Sequence, residues 1–324
     1  MNFFLPFRIQ PFPFTISYHD KILLTGSCFS EEMGNKMSEL KFDVLQNPNG
    51  ILYDPVSIAD SIFSYIENKT VTEKSLFELN GLWHSWKHHS AFSGVNRTGV
   101  LNKINLSQSK AHRFLKEATI VIITLGTAFN YQLKNNHDNV ANCHKAPADL
   151  FIKNLIPADK IISDLSAAIT ALESFNPAVK IIFTISPVKH VKDGIIENNR
   201  SKSRLIEAVH AVVGEKENVF YFPSYELVTD VLRDYRFYKR DLVHPDETAV
   251  SFVFEKFCES FLDDASQKIL EKIKKVVAAV NHKPFVKESA AHQKFIAAQV
   301  DAICKIESDY PYIDFSREKK YFQG

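Results

Sequence analysis

The chain has 324 residues, with 39 lysines and arginines against 38 aspartates and glutamates, which leaves a formal net charge of +1 at pH 7. This balance gives no reason to expect nucleic acid or an anionic membrane surface as the main partner. Hydrophobic residues make up 45% of the chain, with 26 phenylalanines, so the composition is that of a globular protein with a sizeable core.

The sequence contains no run close to the roughly 20 apolar residues that a membrane span requires. Prolines interrupt the apolar N-terminal stretch 1–14 before it resembles a secretory signal. We therefore expect a cytoplasmic protein. The cysteines have no Cys-x-x-Cys spacing, which predicts free thiols rather than a disulfide framework or a zinc ribbon. They are Cys28, Cys143, Cys258 and Cys304.

The first predicted elements are a buried strand from Ile22 to Gly26 and a helix that opens in the polar segment after it. Gly26 lets the chain turn sharply between them. Ser27 and Cys28 then lie beside the N–H groups of a helix start, which carry partial positive charge and favour a thiolate or an oxyanion. This turn is a candidate position for a nucleophile, although a packed turn with a small buried thiol would show the same residues.

Strands and helices alternate along the chain as far as residue 262. This order predicts βαβ units and a mostly parallel sheet with helices on both faces, a three-layer α/β/α sandwich. Asn49-Gly50 is a strong turn signal, the segment 82–92 has no clear element, and 142–147 falls in a long loop. The predicted strands are 42–45, 119–126, 180–187 and 218–222, and the predicted helices are 55–66, 107–117, 157–175, 199–213 and 246–262.

The pattern changes after residue 262, where two amphipathic helices are predicted with no strand between them. They span 267–280 and 289–306, on either side of 282–284. We expect a domain over residues 1–262 and a C-terminal helical extension over 263–318. The last residues, Tyr321 to Gly324, look like the remnant of a purification tag, so 319–324 are excluded from the predicted fold.

Polar residues follow several of the predicted strands, as in Gly26-Ser-Cys28 and Gly126-Thr127. In an open parallel sheet these strand ends form one crevice. Near the end of the domain, Asp241 and His244 are three residues apart. A carboxylate at this offset can hold the imidazole Nδ1–H and leave Nε2 free to act as a base towards a nucleophile.

These two blocks together resemble the SGNH hydrolase superfamily, and more narrowly the GSCFA family, whose motif reads Gly26-Ser-Cys-Phe-Ser30 here. The resemblance covers most of the first 262 residues. Further matching segments are Asn47 to Pro55, Trp86 to Ser90, Leu125 to Ala128, Asn142 to Lys145, Ser186 to Val188 and Asp234 to Pro245.

The resemblance implies ester hydrolysis or acyl transfer, in which His244 takes the proton of the nucleophile and Asp241 orients His244. The ungapped register puts Cys28 in the nucleophile's place, and we expect a lowered thiol pKa there. Ser27 remains the alternative, since serine is the superfamily's usual nucleophile. A carbohydrate O-acyl group is the substrate that the superfamily suggests.

The same resemblance assigns the oxyanion hole to the nucleophile's own N–H, to Gly50 and to an asparagine that is absent from Gly126-Thr127-Ala128. Thr127, Asn130 or Asn142 would have to replace that asparagine. Loss of one such donor typically costs about 10²–10³ in rate. The candidate substrate contacts are Asn49, Trp86, His89, His144 and Lys145.

We expect no metal ion and no organic cofactor. His84 and His88 would share a face if that segment were helical, but the sequence places no third ligand beside them. Their other interpretations are a packed aromatic cluster or a wall of the substrate pocket. The alternative function is a binding protein that keeps the crevice without turnover. The expected partner is a small-molecule or carbohydrate ester, and the oligomeric state is not predicted.

Overall fold

The fold was analysed in a computed structural model that describes residues 6–282, 284–286 and 288–323. The apolar N-terminal stretch 1–14 therefore lies partly outside the described residues. Lys283, in the break between the two predicted C-terminal helices, and Gly324 also lie outside them. Ten strands are present in the described part of the chain: β1 Lys21–Gly26, β2 Asp43–Gln46, β3 Phe77–Leu79, β4 Leu82–His84, β5 Ile120–Leu125, β6 Phe129–Leu133, β7 Asn139–Val140, β8 Phe151–Leu155, β9 Lys180–Ile185 and β10 Val219–Tyr221.

The predicted helices are all present in the same part of the chain with shifted ends. The helices are α1 Cys28–Glu39, α2 Pro55–Glu67, α3 Arg97–Glu117, α4 Ala158–Phe175, α5 Ile195–Glu215, α6 Ser224–Glu226 with a π-helical continuation Leu227–Leu232, α7 Glu247–Phe261, α8 Asp264–Val280, α9 Ala290–Asp309 and α10 Ser316–Gln323. Of these, α6 and α10 were not predicted.

Five parallel strands form the central sheet in the order β10-β9-β5-β1-β2. The chain runs outwards from β1 to β2 and then crosses back to β5, so the strand order reverses between β1 and β5. Ligands bind at such a switch point, outside the carboxyl ends of the strands. The predicted parallel sheet is confirmed, and its switch point lies beside the turn that carries Ser27 and Cys28.

Alternate residues of each central strand face opposite layers. Leu23 and Val121 pack under α2 to α5, whereas Ile22 and Ile122 pack under α1, α7 and the C-terminal helices. Both faces of a parallel sheet must be covered in this way, which explains the uniformly apolar strands. The three-layer α/β/α architecture is confirmed.

Two small antiparallel sheets stand outside the central one. β3 pairs with β4, and β6 pairs with both β7 and β8. The second of these fills what the sequence analysis treated as a long loop after residue 126. Short strands with mixed polar residues, such as Asn139–Val140, give too little alternation for the sequence pattern to reveal them.

Helix α3 begins ten residues earlier than expected, at Arg97. The Asn96 side chain accepts a hydrogen bond from the Gly99 N–H and caps the new first turn. A glycine in the first turn lowers helix propensity, which hid this start from the sequence pattern.

The C-terminal helices share one apolar cluster with the α/β layers. Ile273 of α8, Phe315 and Phe322 belong to the same cluster as Ile16 and Phe42. The ammonium of Lys41 lies 2.7 Å from the Glu318 carboxylate, and both side chains are nearly buried. Because α10 ends at Gln323 and Phe322 is buried, excluding the last residues from the fold was wrong.

Candidate active site

In the turn between β1 and α1, the side chain of Ser27 is buried, whereas that of the adjacent Cys28 is half-buried. Gly26 has φ +138°, and a Cβ there would lie 2.1 Å from the Thr124 carbonyl oxygen. Ser27 precedes the first residue of α1, donates its N–H to the same oxygen at 3.1 Å and is 1% exposed. Its Oγ is buried and has no hydrogen-bond partner among the described residues. Cys28 is half-buried and contacts the adjoining cavity.

The pKa of the Cys28 thiol is raised, contrary to the expectation from its helix-start position. Burial is the largest cause, and the Glu32 carboxylate adds to it. The N–H groups of Cys28 and Phe29 oppose the rise, as does the Lys202 ammonium. The expected lowered pKa is therefore wrong, because desolvation exceeds the stabilisation that the helix start supplies. At neutral pH the group is a thiol that needs a base.

Asp241 and His244 form a direct contact. His244 Nδ1 lies 2.7 Å from Asp241 Oδ2, while Asp241 Oδ1 accepts the N–H groups of Val243 and His244 at 2.9 and 3.0 Å. These two N–H groups, with the imidazole, lower the pKa of Asp241 to about 2. The carboxylate thus stays ionised and can fix the imidazole with Nδ1–H towards it, which leaves Nε2 as the acceptor.

The loop that carries this pair is attached to the elements around Cys28. Val243 O accepts the N–H of Lys189, in the loop after β9, at 3.1 Å. Lys239, just before the pair, lies 3.0 Å from the carboxylate of Glu32 on α1. Asp246 then caps α7 by accepting the Ala249 N–H at 2.9 Å. The Asp241–His244 pair is therefore held between α1 and the end of β9.

A cavity of about 830 Å³ opens at the carboxyl ends of the central strands. It is large enough for a drug-sized ligand. Seven of the residues singled out in the sequence contact it: Ser27, Cys28, Thr127, Asn142, His144, Lys145 and His244. Asn49 and Trp86 instead contact a neighbouring cavity of about 650 Å³. Gly50 and His89 contact neither of these two cavities.

The three expected oxyanion donors differ in what they already bind. The Gly50 N–H donates to the Asn47 carbonyl at 2.7 Å, and the Thr127 N–H donates to the Tyr53 carbonyl at 3.0 Å. The Thr127 hydroxyl lies 3.0 Å from Ser201 Oγ. Asn142 uses its Oδ1 to accept the His144 N–H at 2.8 Å. Its Nδ2 has no hydrogen bond to the described residues and remains available as a donor.

Asn130, the other expected substitute, lies outside the cavity. It is buried, and its Nδ2 donates to Asn139 Oδ1 at 3.1 Å. Arg236, near the Asp241–His244 pair, contacts Asp234 at 2.9 Å on the surface. Neither side chain contacts the cavity that contains Cys28.

The histidine-rich segment 82–92 packs against the loop 142–147. The indole of Trp86 stacks on Phe77 at 3.6 Å between ring centroids, and the rings of His84 and His144 are 4.5 Å apart. Burial lowers the pKa of both His88 and His144 to about 4. These imidazoles are therefore neutral at physiological pH. His144 contacts the cavity that contains Cys28, whereas His88 contacts the neighbouring cavity.

No metal site emerges from these histidines. His84 ends β4 and His88 follows in a turn, so the helical spacing required for a shared face is missing. His88 Nδ1 lies 2.8 Å from Ser85 Oγ. Within the described ranges, no group of three or more histidine, cysteine or acidic side chains could hold a metal ion.

Lys202 of α5 is a site residue that the sequence analysis missed. It is 2% exposed, and its ammonium donates to the carbonyl oxygens of Gly126 and Ser186 at 2.7 and 2.6 Å. These carbonyls follow β5 and β9 directly, below the cavity. The sequence did hold a signal, because Lys202 precedes Leu205 by three residues and Val209 by seven, which places it on the buried face of the helix.

Comparison with solved structures finds similarity at low sequence identity. A carbohydrate esterase of family 3 from Talaromyces cellulolyticus has 13% identity and a TM-score of 0.39, over 79% of this chain and 99% of that one. A mutant acetyl esterase with acetate ion has 13% identity and a TM-score of 0.37 over the same shares. An acetyl xylan esterase from Butyrivibrio proteoclasticus has 12% identity and a TM-score of 0.36, over 75% and 63%. Similarity this weak carries no information on function.

A comparison with curated protein sequences finds no match. No helix in the described part of the chain is long and apolar enough to cross a membrane. Family models, in contrast, match most of the chain. The model of the GSCFA family matches residues 21–257, and that of the C-terminal domain of GSCFA domain proteins matches 273–324. The chain belongs to the GSCFA family, as its motifs indicated.

Proposed function

We propose that this protein is an ester hydrolase or acyltransferase that uses Cys28 as the nucleophile, His244 as the general base and Asp241 to orient His244. The observation that carries the proposal is the cavity shared by Cys28 and His244, with Asp241 only 2.7 Å behind the imidazole. A nucleophile, a base and an orienting carboxylate are the three parts that acyl transfer requires.

The choice of Cys28 over Ser27 rests on accessibility. Ser27 contacts the cavity, but its Oγ is buried, so an acyl carbonyl cannot approach that oxygen without local rearrangement. The Sγ of Cys28 lies at the start of α1, next to the N–H groups of Cys28 and Phe29. N–H groups at this position are left without partners in the helix and suit a developing negative charge.

The reaction would proceed in two steps. As Sγ attacks the acyl carbonyl carbon, its proton passes to His244 Nε2, and the carbonyl oxygen takes up the negative charge. We assign this oxyanion to the Cys28 N–H and to Asn142 Nδ2. Collapse of the intermediate breaks the ester C–O bond, His244 protonates the departing alcohol, and a thioester forms. Water or an alcohol acceptor then attacks the thioester with His244 again as the base.

The raised pKa of Cys28 makes this mechanism depend strongly on His244. A preformed thiolate would react without a base, whereas a protonated thiol must lose its proton during the attack. We therefore expect His244→Ala to lower the rate about as far as Cys28→Ala does.

The test is the turnover of an aryl acetate, measured as kcat/KM with and without an added alcohol acceptor. Cys28→Ala and His244→Ala should each lose at least roughly 10³ of the activity. Ser27→Ala is the matched control, and it should keep activity within about tenfold. Loss in Ser27→Ala with activity retained in Cys28→Ala would make Ser27 the nucleophile.

A binding protein without turnover is the second candidate. It is favoured by the two expected donors, Gly50 N–H and Thr127 N–H, that are already engaged within the protein. This candidate predicts that the wild type turns over no ester in a panel of acyl chains and alcohols, and that the His244→Ala variant behaves identically. A dependence of turnover on the added acceptor would instead identify a transferase.

A further inference from the structure

Among the described residues, Lys202 is a buried lysine whose ammonium has no carboxylate partner. Its ammonium is hydrogen-bonded to two carbonyl oxygens, and it is in none of the ion pairs found among the described residues. A buried charge without a counter-ion is costly, so a fold that serves structure alone has little use for one at this position. The nearby Cys28 supplies the charge that Lys202 lacks, but only when its thiol loses a proton.

We infer that Lys202 is a positioning residue for the chemistry of Cys28, an inference that rests on the proposed function. Its ammonium joins the backbone at the ends of β5 and β9, and its charge stabilises the negative charge that develops on Sγ. Gly126 and Ser186 both contact the cavity, so the same side chain fixes its floor.

Other charged or titratable groups also face Cys28. Glu32 comes from the same helix, Tyr53 from the loop before α2, Lys239 from the loop before Asp241, and His244 from across the cavity. Glu32 and Lys239 pair with each other at the surface, where solvent screens them. Lys202 is the fully buried member of this group, so its charge is screened least.

Lys202 and Cys28 each affect the pKa of the other. Burial lowers the pKa of Lys202 to about 7, and a negative Cys28 would raise it. Near neutral pH, therefore, Lys202 holds its proton more firmly as negative charge appears on Sγ. Formation of the neutral thioester removes that charge again, so the stabilisation acts on the step in which Sγ is most negative.

The experiment needs no substrate, so it can fail independently of the proposed ester turnover. The alkylation rate of Cys28 by iodoacetamide is followed by peptide mass spectrometry from about pH 6 to pH 10 in the wild type and in Lys202→Met. We expect about tenfold slower alkylation in Lys202→Met at pH 6, where Lys202 of the wild type is protonated, because a coupling of one pH unit corresponds to tenfold less thiolate. The two profiles should converge above about pH 8, where Lys202 of the wild type has lost its proton.

Arg204→Met is the matched control. Arg204 lies on the same helix and also donates to two carbonyl oxygens, those of Leu155 and Ile156, at 2.6 and 2.8 Å. These two residues do not contact the cavity, whereas Gly126 and Ser186, the partners of Lys202, do. Its loss should lower stability and leave the alkylation profile of Cys28 in place. An unchanged profile in folded Lys202→Met, or an equal shift in Arg204→Met, would overturn the inference.

A second measurement covers the case in which Lys202→Met does not fold. In protein labelled with ¹³C-lysine, the Cε resonance of Lys202 should titrate near neutral pH, far below the ordinary lysine value of about 10.4. Cys28→Asp places a negative charge at the helix start and should raise that midpoint by about one pH unit, whereas Cys28→Ala should not raise it. Equal midpoints in the two variants would contradict the coupling between the two side chains.

Discussion

At the scale of single residues, burial decides which groups of this site are charged. Cys28 and His144 begin from the ordinary properties of a thiol and an imidazole, and desolvation moves both towards their neutral forms. Asp241 remains ionised because two backbone N–H groups and the His244 imidazole satisfy its oxygens. The site therefore contains a carboxylate at Asp241 that stays ionised and a neutral thiol at Cys28, whose proton passes to His244 in the proposed mechanism.

Burial also favours the neutral form of Asp54, and the resulting pH dependence can be measured in the free energy of unfolding. Asp54 is 4% exposed, caps α2 by accepting the Ser57 N–H at 2.9 Å, and contacts the cavity. Burial raises its pKa from 3.8 to about 6. Between these pH values the folded protein holds the proton more tightly than the unfolded chain does, so stability falls as the pH rises through this window.

Asp54→Asn should remove this pH dependence, because the amide keeps the capping oxygen and carries no charge. Relative to the wild type, the free energy of unfolding of the variant should increase between pH 4 and pH 7 by on the order of 2 kcal/mol. Urea denaturation at pH 4, 5, 6 and 7 measures the difference. A difference that stays constant over this range would show that Asp54 is not held protonated.

Residue identity alone could not predict these charge states. The Asp-x-x-His spacing predicted the contact between Asp241 and His244, because two residues three apart in a turn must lie close together. The pKa of Cys28 depends on how deeply the helix start is covered, and that depth is set by the Tyr53 loop and by α5, which are distant in sequence. Lys202 was missed because a lysine is normally assigned to the surface.

At the scale of elements, the turn between β1 and α1 determines where Cys28, the proposed nucleophile, lies. Gly26 allows β1 and β5 to approach so closely that the Thr124 carbonyl occupies the place of a side chain. The helix then starts at once, with Ser27 buried as its N-cap and Cys28 half-buried as its first residue. Position 26 therefore requires glycine for two reasons: its backbone has a positive φ, and β1 approaches β5 too closely there for a Cβ.

Gly26→Ala should destabilise the fold by several kcal/mol, since a Cβ would lie 2.1 Å from Thr124 O in a backbone conformation that alanine avoids. Gly214→Ala is the control. Gly214 lies near the end of α5, and a Cβ there would meet nothing within 4 Å. Alanine at this helical position should be neutral or stabilising by up to about 1 kcal/mol.

Thermal and urea unfolding of both variants measure this difference. A small loss of stability in Gly26→Ala, comparable with that of Gly214→Ala, would mean that the turn does not have the described geometry. It would also remove the reason for the difference in burial between Ser27 and Cys28.

The regular elements were predictable from sequence to the extent that their own periodicity is strong. The apolar strands β1, β5 and β9 and the helices α2, α4 and α7 were predicted nearly to their ends. The small sheet of β6, β7 and β8 was missed, because its strands are short, mix polar with apolar residues, and pair with residues outside their own segment. This sheet carries Asn130, and Asn142 lies in the loop between β7 and β8, so its omission also left the expected oxyanion donors undetermined.

At the scale of the whole molecule, the C-terminal helices complete the core on one side of the sheet. Phe322 of α10 is 5% exposed and packs in the cluster that includes Ile16 and Phe42, whereas its neighbour Tyr321 is 54% exposed. The pattern of two amphipathic helices was enough to predict an extension. Its last helix was missed because the final residues resembled a tag.

Phe322→Ala should lower the free energy of unfolding by about 3 kcal/mol, the usual cost of emptying a buried phenylalanine site. Tyr321→Ala alters the adjacent, exposed side chain and should change stability by about 0.5 kcal/mol or less. Urea denaturation of both variants gives the comparison. Equal effects would show that α10 does not pack on the core in solution.

The central claim is that an acyl group passes to Cys28 with His244 as the base. The most direct measurement is rapid mixing with an activated acetate ester, acid quenching and peptide mass spectrometry, with fragment ions that separate Ser27 from Cys28. The account predicts one acetyl group on Cys28 in the wild type, removed by neutral hydroxylamine as a thioester is, and little adduct in His244→Ala. An acetyl group on Ser27, or ester turnover without an adduct on Cys28 in any quenched sample, would contradict it.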